Sequence, residues 1–390
     1  MWKPRIAAVQ PAPASSFDRQ LKLDGARVVA LGDCAVCHTA KGGKPFAGGL
    51  PLATPFGTIY ATNITSDPGI GAWSLDAFTR ALRRGISRDG HQLYPTFPYI
   101  HFTRMSDHEV SAAYAYLMSR DPVKATTPDN KLIFPLNFRP LVAFWKVMFL
   151  RPGERAADPA QSVEWNRGRL LVDDLGHCAA CHSPLNMIGD EKSRRAFDGG
   201  LLDGWDAPPL NQLSNAVKPW TKEQLVTYLC TGRASEHGAA ASPMLPVTRD
   251  LATVPQEDVE AIGTYILSLQ HATSPVMEAT AATATPDATT ASAQRGAILF
   301  NGSCASCHGS GSPMQTIGTR PTLAFSTAVN AQTPRNTIQI MIGGAWHGED
   351  TMNYMSPSAM YSVTTSLPIL RPTCAPPIQS VLSGRPSTKA

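Results

Sequence analysis

The 390-residue chain has no run of about 18 apolar residues, so no segment reads as a membrane-crossing helix. Its first residues, MWKPRIAAVQPAPASSFD, carry Lys3 and Arg5 but lack the apolar core that an export signal needs. Charge is scarce as well. Asp, Glu, Lys and Arg make up 16% of the residues, the net charge is +4, and basic residues are scattered, which excludes nucleic acid as an expected partner. A hydrophobic content of 43% nevertheless provides for real cores and excludes a disordered chain. The most apolar run, LVAFWKVMFL from Leu141 to Leu150, contains Lys146 and is too short to span a bilayer. It reads either as a buried segment or as a contact for a partner or a membrane surface.

Cysteine is the informative residue. Six of the eight cysteines form CxxC pairs, each followed at once by histidine: Cys34-Cys37-His38, Cys178-Cys181-His182 and Cys304-Cys307-His308. Cys230 and Cys374 are left over; Cys230 reads as a small buried helix residue. The first cysteines lie 144 and then 126 residues apart, and a frame repeats around them. A glycine-led apolar helix precedes each motif, beginning at Gly25, Gly168 and Gly296. Downstream, Trp73 to Gly85 and Trp220 to Gly232 share a spacing of 12, and both segments predict helices. Ser74 and Thr221 stand at their N-caps, Thr221 and Gln224 fit a capping box, and the glycines stand where a positive φ ends a helix. Two closing helices follow, one opened by Ser106 and Glu109, the other by Pro255, with Val110–Tyr116 and Val259–Tyr265 spaced six apart on one face.

The expected architecture is all-α, with three tandem cytochrome c domains joined by irregular linkers. Domain one covers 17–120, domain two 161–270 and an incomplete domain three 294–365, with linkers at 121–160 and 271–293 and an atypical tail at 366–390. The second linker is Ala/Thr-rich, without apolar periodicity, and reads as a flexible tether.

CxxCH is the signature of covalent haem attachment. Each thiol adds to a porphyrin vinyl group, two intervening residues place both sulfurs along one haem edge, and the histidine points at the iron. A zinc site needs four ligands, often from paired CxxC motifs, and a thioredoxin-like CxxC expects a βαβ unit; neither fits pairs that each carry their own histidine. Three covalent haem c groups are expected, with Cys34, Cys37, Cys178, Cys181, Cys304 and Cys307 as thioethers and His38, His182 and His308 as proximal iron ligands.

Distal ligands are read from position. Cytochromes c commonly use methionine, whose thioether raises the potential. Met244, in Ser242-Pro243-Met244-Leu245-Pro246, lies 62 residues after His182, just before a closing helix. Met355 lies 47 residues after His308, with Met352 and Met360 competing. In domain one Phe97 occupies the expected methionine slot. His101 is the favoured ligand there, with Met105, His91 or an open iron as alternatives. Two imidazoles would give that haem the lowest potential of the three.

The chain resembles the membrane-associated multihaem cytochrome c subunits of bacterial periplasmic dehydrogenases. The residues that carry the likeness are GGLPLATPFGTIYATNI from Gly48 to Ile64, LYPTFPY from Leu93 to Tyr99, and FPLNFRPL from Phe134 to Leu141. Phe97 followed by His101 is most similar to the molybdenum-hydroxylase branch, which includes nicotinate and isoquinoline dehydrogenases. Quinoprotein alcohol and flavoprotein gluconate dehydrogenases are the alternative. Two features depart from the pattern. An apolar anchor is expected before the present start. A closing helix is expected after Met355, where Pro368, Pro372, Pro376 and Pro377 instead interrupt the chain.

The resemblance implies an electron-transfer subunit with no substrate-converting site of its own. It would sit in the periplasm against the cytoplasmic membrane and pass electrons from a dehydrogenase catalytic subunit to quinone, a terminal oxidase or a small cytochrome. Competing classes are a haem peroxidase working at an open first haem, and a sensor or haem-storage protein.

Overall fold

The computed structural model describes residues 3–241, 243–270, 291–309, 311–312, 323–346 and 354–355. Met352, Met360, Cys374 and the 366–390 tail lie outside the described residues. Two compact bodies are built from non-contiguous chain: the first from residues up to 196 with 250–265, the second from 197–249 with residues 266–355 as described.

In the first body the repeated frame is made of helices whose ends the sequence specifies. The lead helix Arg19–Leu31 begins where the Asp18 carboxylate accepts from the Leu21 amide at 3.0 Å. The helix Leu75–Arg84 is capped by Ser74 and ends at Gly85, whose φ of 58° lies in the left-handed region. The closing helix Asp107–Met118 opens with the full reciprocal box of Ser106 and Glu109. The lead helix of the second repeat, Val163–Arg169, widens into a π turn over Leu170–Leu175, with the Gly176 amide reaching back to the Leu171 carbonyl at 2.7 Å. That turn absorbs one residue. Gly25 precedes Cys34 by nine positions and Gly168 precedes Cys178 by ten, yet both motifs leave their lead helix after a left-handed residue, Asp33 or His177.

Lead and closing helices cross at glycine. A Cβ on Gly25 would lie 2.0 Å from the Ala112 carbonyl oxygen and 2.7 Å from Tyr116 Cβ; on Gly168 it would lie 2.0 Å from the Ala261 oxygen and 2.7 Å from Tyr265 Cβ. The two backbones touch, and Val28, Val29, Val110, Ala112, Leu171, Val172, Val259 and Ala261 are buried around the crossings. The lead helix of the third repeat, Ala291–Ser303, has no such neighbour among the described residues: nothing lies within 4 Å of a Cβ on Gly296, and none of the helix's residues is buried.

The all-α expectation is corrected. Four small antiparallel sheets accompany the helices among the described residues: Pro51–Thr54 with Gly57–Tyr60 and Lys131–Leu132, Gly200–Leu202 with Trp205–Ala207, Arg233–Ala234 with Gly238–Ala239, and Ala345–Trp346 with Tyr354–Met355. The first is a hairpin around Pro55-Phe56, with Gly57 at φ 120° because the Lys131 carbonyl leaves no room for a Cβ. The 121–160 linker holds the helix Leu141–Phe149, and residues 291–293, assigned to the second linker, begin a helix. On Leu141–Phe149 one face buries Val142, Trp145 and Lys146, while Phe144, Val147 and Met148 are exposed. Lys146 Nζ donates to the Arg84 and Gly85 carbonyls and to Gln92 Oε1. Its buried amine therefore caps the C-terminus of the helix Leu75–Arg84.

The glycine crossings give a contrasting test. Gly25→Ala and Gly168→Ala are expected to lower stability by about 1–3 kcal/mol each through overpacking. Gly296→Ala is expected to be neutral or to gain up to ~1 kcal/mol from helix propensity. Thermal unfolding of the three variants checks the difference.

Candidate haem sites

Each CxxCH motif lies on a short helical turn ending in its histidine: Cys34–His38, Ala179–His182 and Ala305–His308. All six motif cysteines are part-buried and none is in a disulfide. Burial and the Asp33 charge push the Cys34 and Cys178 thiols far up, and Cys37 to about 11 for the same reasons, so these sulfurs stand as neutral S–H groups.

The first site shows how its imidazole is aimed. His38 Nδ1–H donates to the Thr62 carbonyl at 2.6 Å, which fixes the tautomer and leaves the Nε2 lone pair available. Burial pushes the His38 pKa down, against the smaller opposing effect of Thr62, and keeps the ring neutral as a ligand must be. The Thr62 carbonyl is itself held in place. Gly48 donates to His38 O at 2.8 Å and Gly49 to Ala61 O at 2.8 Å, and a Cβ on Gly48 would lie 2.4 Å from the Thr62 carbonyl carbon. Asn63 Nδ2 donates to Val123 O at 2.6 Å, and its Oδ1 accepts from the Thr65 amide and hydroxyl. The stretch from Gly48 to Ile64 therefore acts as the brace for His38. Sequence reasoning marked it without assigning Thr62 or Asn63 a role; the turn-forming glycines and Asn63 were the available signal.

These residues fit covalent haem: cysteines paired on one helical turn, beside an imidazole that at the first site has its second nitrogen already committed to the backbone. His182 and His308 close equivalent turns and are part-buried.

The distal candidates fare differently. His101 is buried, with Nδ1 against the Asp173 carbonyl at 2.6 Å and Nε2 against Glu191 Oε1 at 2.7 Å. Burial alone would lower its pKa, but the Glu191 hydrogen bond and charge and the Asp173 carbonyl outweigh this and raise it. As placed, both His101 ring nitrogens are engaged, whereas the expected iron ligand would need one of them free. His101 instead ties the distal loop of repeat one to the lead helix of repeat two. Met105 is buried at the threshold of the closing helix. Met244 begins the helix Met244–Leu251 in the second body, and Met355 pairs with Ala345 in a short ladder. Met187, which follows the second motif, is exposed. Thr221 caps the Gln224 amide, but the Gln224 side chain does not return to close a capping box. It bonds Glu236 and His237 instead.

A turn that pairs two thiols with a backbone-steered imidazole defines a c-type cytochrome, and the cytochrome c family pattern matches residues 23–121. The chain is 33% identical over 376 residues to the fructose dehydrogenase cytochrome subunit of Gluconobacter japonicus, covering 91% of this chain and 77% of that one. It is 38% identical over 307 residues to the gluconate 2-dehydrogenase cytochrome c subunit of Pantoea cypripedii, covering 73% and 68%. It is 47% identical over 347 residues to a nicotinate dehydrogenase subunit of Pseudomonas putida, covering 88% of this chain but 29% of that longer relative. The chain belongs to the family of cytochrome c electron-transfer subunits of dehydrogenase complexes.

The His101 clamp has a pH signature. Its folded pKa is raised above the ordinary 6.5, so its stabilisation is fully present below pH 6.5 and is lost as pH rises through the folded value. His177, pushed down to about 4 by burial and then by the His101 charge, acts in the opposite sense on the acid side. Wild type is expected to exceed His101→Phe by about 1.5–3 kcal/mol near pH 6, and the gap should narrow toward pH 9. Denaturant unfolding across that range measures it.

Proposed function

We propose that this chain is a three-haem electron-transfer subunit of a periplasmic, membrane-associated dehydrogenase. It takes electrons from a catalytic subunit and delivers them to quinone or a terminal oxidase. The carrying observation is the triple occurrence of cysteine pairs on histidine-ended turns. When bound, haem c supplies a one-electron iron couple with a potential set by its axial ligands. The residues of the chain hold it, with Cys34, Cys37, Cys178, Cys181, Cys304 and Cys307 as thioethers and His38, His182 and His308 as proximal ligands. Met244 and Met355 are the distal thioethers proposed for the second and third haems. With both His101 nitrogens engaged, the buried Met105 is the sulfur donor proposed for the first.

The partner proposed is a molybdenum hydroxylase of the nicotinate dehydrogenase kind. The 47% identity to the nicotinate dehydrogenase relative, against 38% and 33% to the gluconate and fructose relatives, supports this over a quinoprotein or flavoprotein partner.

No helix among the described residues is long and apolar enough to cross a membrane. Support for a membrane surface contact comes from one stretch of chain. Ile133, Phe134 and Phe138 lead into the helix exposing Phe144, Val147 and Met148, with Phe134 at 85% and Val147 at 79% exposure. Lys131, Arg139 and Arg151 accompany them, and no acidic residue falls between 131 and 153. Apolar side chains beside cations suit an anionic bilayer surface.

Intact-mass measurement of protein matured with haem is expected to show three covalent haems, and two for each of Cys34→Ser/Cys37→Ser, Cys178→Ser/Cys181→Ser and Cys304→Ser/Cys307→Ser. Met105→Ala should remove a thioether–iron signature from the first haem, whereas His101→Ala should not. Phe134→Ser/Phe144→Ser/Val147→Ser is expected to lower co-sedimentation with anionic vesicles roughly tenfold or more, since each buried apolar side chain contributes about 1.5–3 kcal/mol. Unchanged sedimentation would assign the patch to the partner dehydrogenase instead.

A further inference from the structure

The first two haem-attachment motifs meet inside the first body. The end of one lead helix, Leu31-Gly32-Asp33-Cys34, packs on the end of the other, Leu175-Gly176-His177-Cys178. A Cβ on Gly32 would lie 3.3 Å from Leu175 Cδ1 and 3.7 Å from Cys34 Sγ, and one on Gly176 would lie 3.5 Å from the Leu31 carbonyl oxygen. Asp33 and His177 occupy the same place in the two repeats, each left-handed, at φ 51° and 38°, immediately before the first cysteine. With Val110 and Val259 aligned, His101 and Asp250 also occupy the same place in their closing segments. The two crossings are thus built alike from different chemistry. At one, His177 meets His101, with ring centroids 6.2 Å apart, and Glu191 balances the charge. At the other, Asp33 and Asp250 stand at the equivalent positions, the Asp250 charge acts on Asp33, and no cation among the described residues forms an ion pair with either.

Neither Asp33 nor Asp250 forms an ion pair with any described residue, and Asp250 Oδ2 is buried without a hydrogen-bond partner. The Asp250 charge acts on Asp33, and the charges of Asp33 and Asp250 act in turn on the Cys34, Cys37 and Cys178 thiols and on Tyr116. Once the thiols are thioethers they no longer titrate, which leaves Tyr116. Two carboxyls in such a place cannot both stay ionised at low cost. Burial, reinforced by the Asp250 charge, pushes Asp33 well up, and burial pushes Asp250 to about 7.

We propose that Asp33 and Asp250 form a proton-binding site at the junction of the Cys34 and Cys178 attachment turns, taking up and releasing a proton as the first and second haems gain and lose an electron. The balance is simple. One electron from the dehydrogenase partner reduces a ferric iron to ferrous, and one proton from solvent forms an O–H bond on a carboxylate of the pair. Re-oxidation by the acceptor releases both, and the net charge of the junction is unchanged throughout. Asp33 and Asp250 touch no iron and act as positioning residues for charge, tuning the potential rather than carrying the electron. This inference rests on the reading of haem at Cys34 and Cys178, so haem occupancy of those two motifs is established first by peptide mass. Absence of haem there defeats the reading itself.

The test is spectroelectrochemical titration of the full haem-loaded chain from pH 5.5 to 8.5. Two of the three midpoint potentials are expected to fall as pH rises, with a limit of ~59 mV per pH unit, the equivalent of a tenfold change for one electron. Asp250→Asn and Asp33→Asn, the latter keeping a residue tolerant of positive φ, should flatten that slope and leave the third potential unaffected. Flat potentials in the wild type overturn the proposal. So does a slope that persists in the variants, which would assign the proton to the haem propionates. If Asp33→Asn loses haem, Asp250→Asn decides alone.

Discussion

Backbone-to-backbone contact at Gly25 and Gly168 is the constraint on which the first body depends. A carbonyl oxygen of each closing helix occupies the space where any other side chain would begin. That contact sets the crossing of lead and closing helices. The crossing in turn sets where each lead helix ends, and so where Cys34 and Cys178 begin their turns. The π turn at Leu170–Leu175 makes the dependence visible: the second repeat carries one more residue between glycine and cysteine, and the helix widens to absorb it without moving the motif out of register. Where the crossing is lacking, at Gly296, the lead helix lies unpacked among the described residues.

Function is layered on that frame through the backbone. His38 is aimed by the Thr62 carbonyl, which is held by Gly48, Gly49 and Asn63, so a stretch with no titratable role fixes the tautomer of the motif histidine. The two repeats in the first body are joined by pairs at equivalent positions, one imidazole-based and balanced, the other acidic and unbalanced. An electron carrier needs its charge changes accommodated nearby, and the junction places ionisable groups beside the first two CxxCH turns.

Much of this was legible from spacing alone. The attachment motifs, the glycine-led lead helices, the Ser74 and Ser106 caps, and the Gly85 and Gly232 stops all follow from local chemistry that the chain cannot hide. What was missed depended on long-range partners. The hairpin at Pro51–Tyr60 needed its pairing with Lys131–Leu132 to be recognised, and Gln224 turned from its own helix cap to Glu236 and His237. Position along the chain likewise could not show that Asp173 and Glu191 would engage both nitrogens of His101. The apolar run at Leu141 was read as either buried or exposed and is both, one face each, because at helical spacing a short run divides between core and surface.

The central claim is that this chain carries electrons on three separate one-electron centres. Anaerobic reductive titration of the fully oxidised, haem-loaded chain tests it directly by counting electrons taken up per molecule against the visible spectrum. The account predicts three electrons per chain, all returned on re-oxidation without any organic substrate being converted. Uptake of fewer than three, or catalytic consumption of peroxide at one haem, would contradict it.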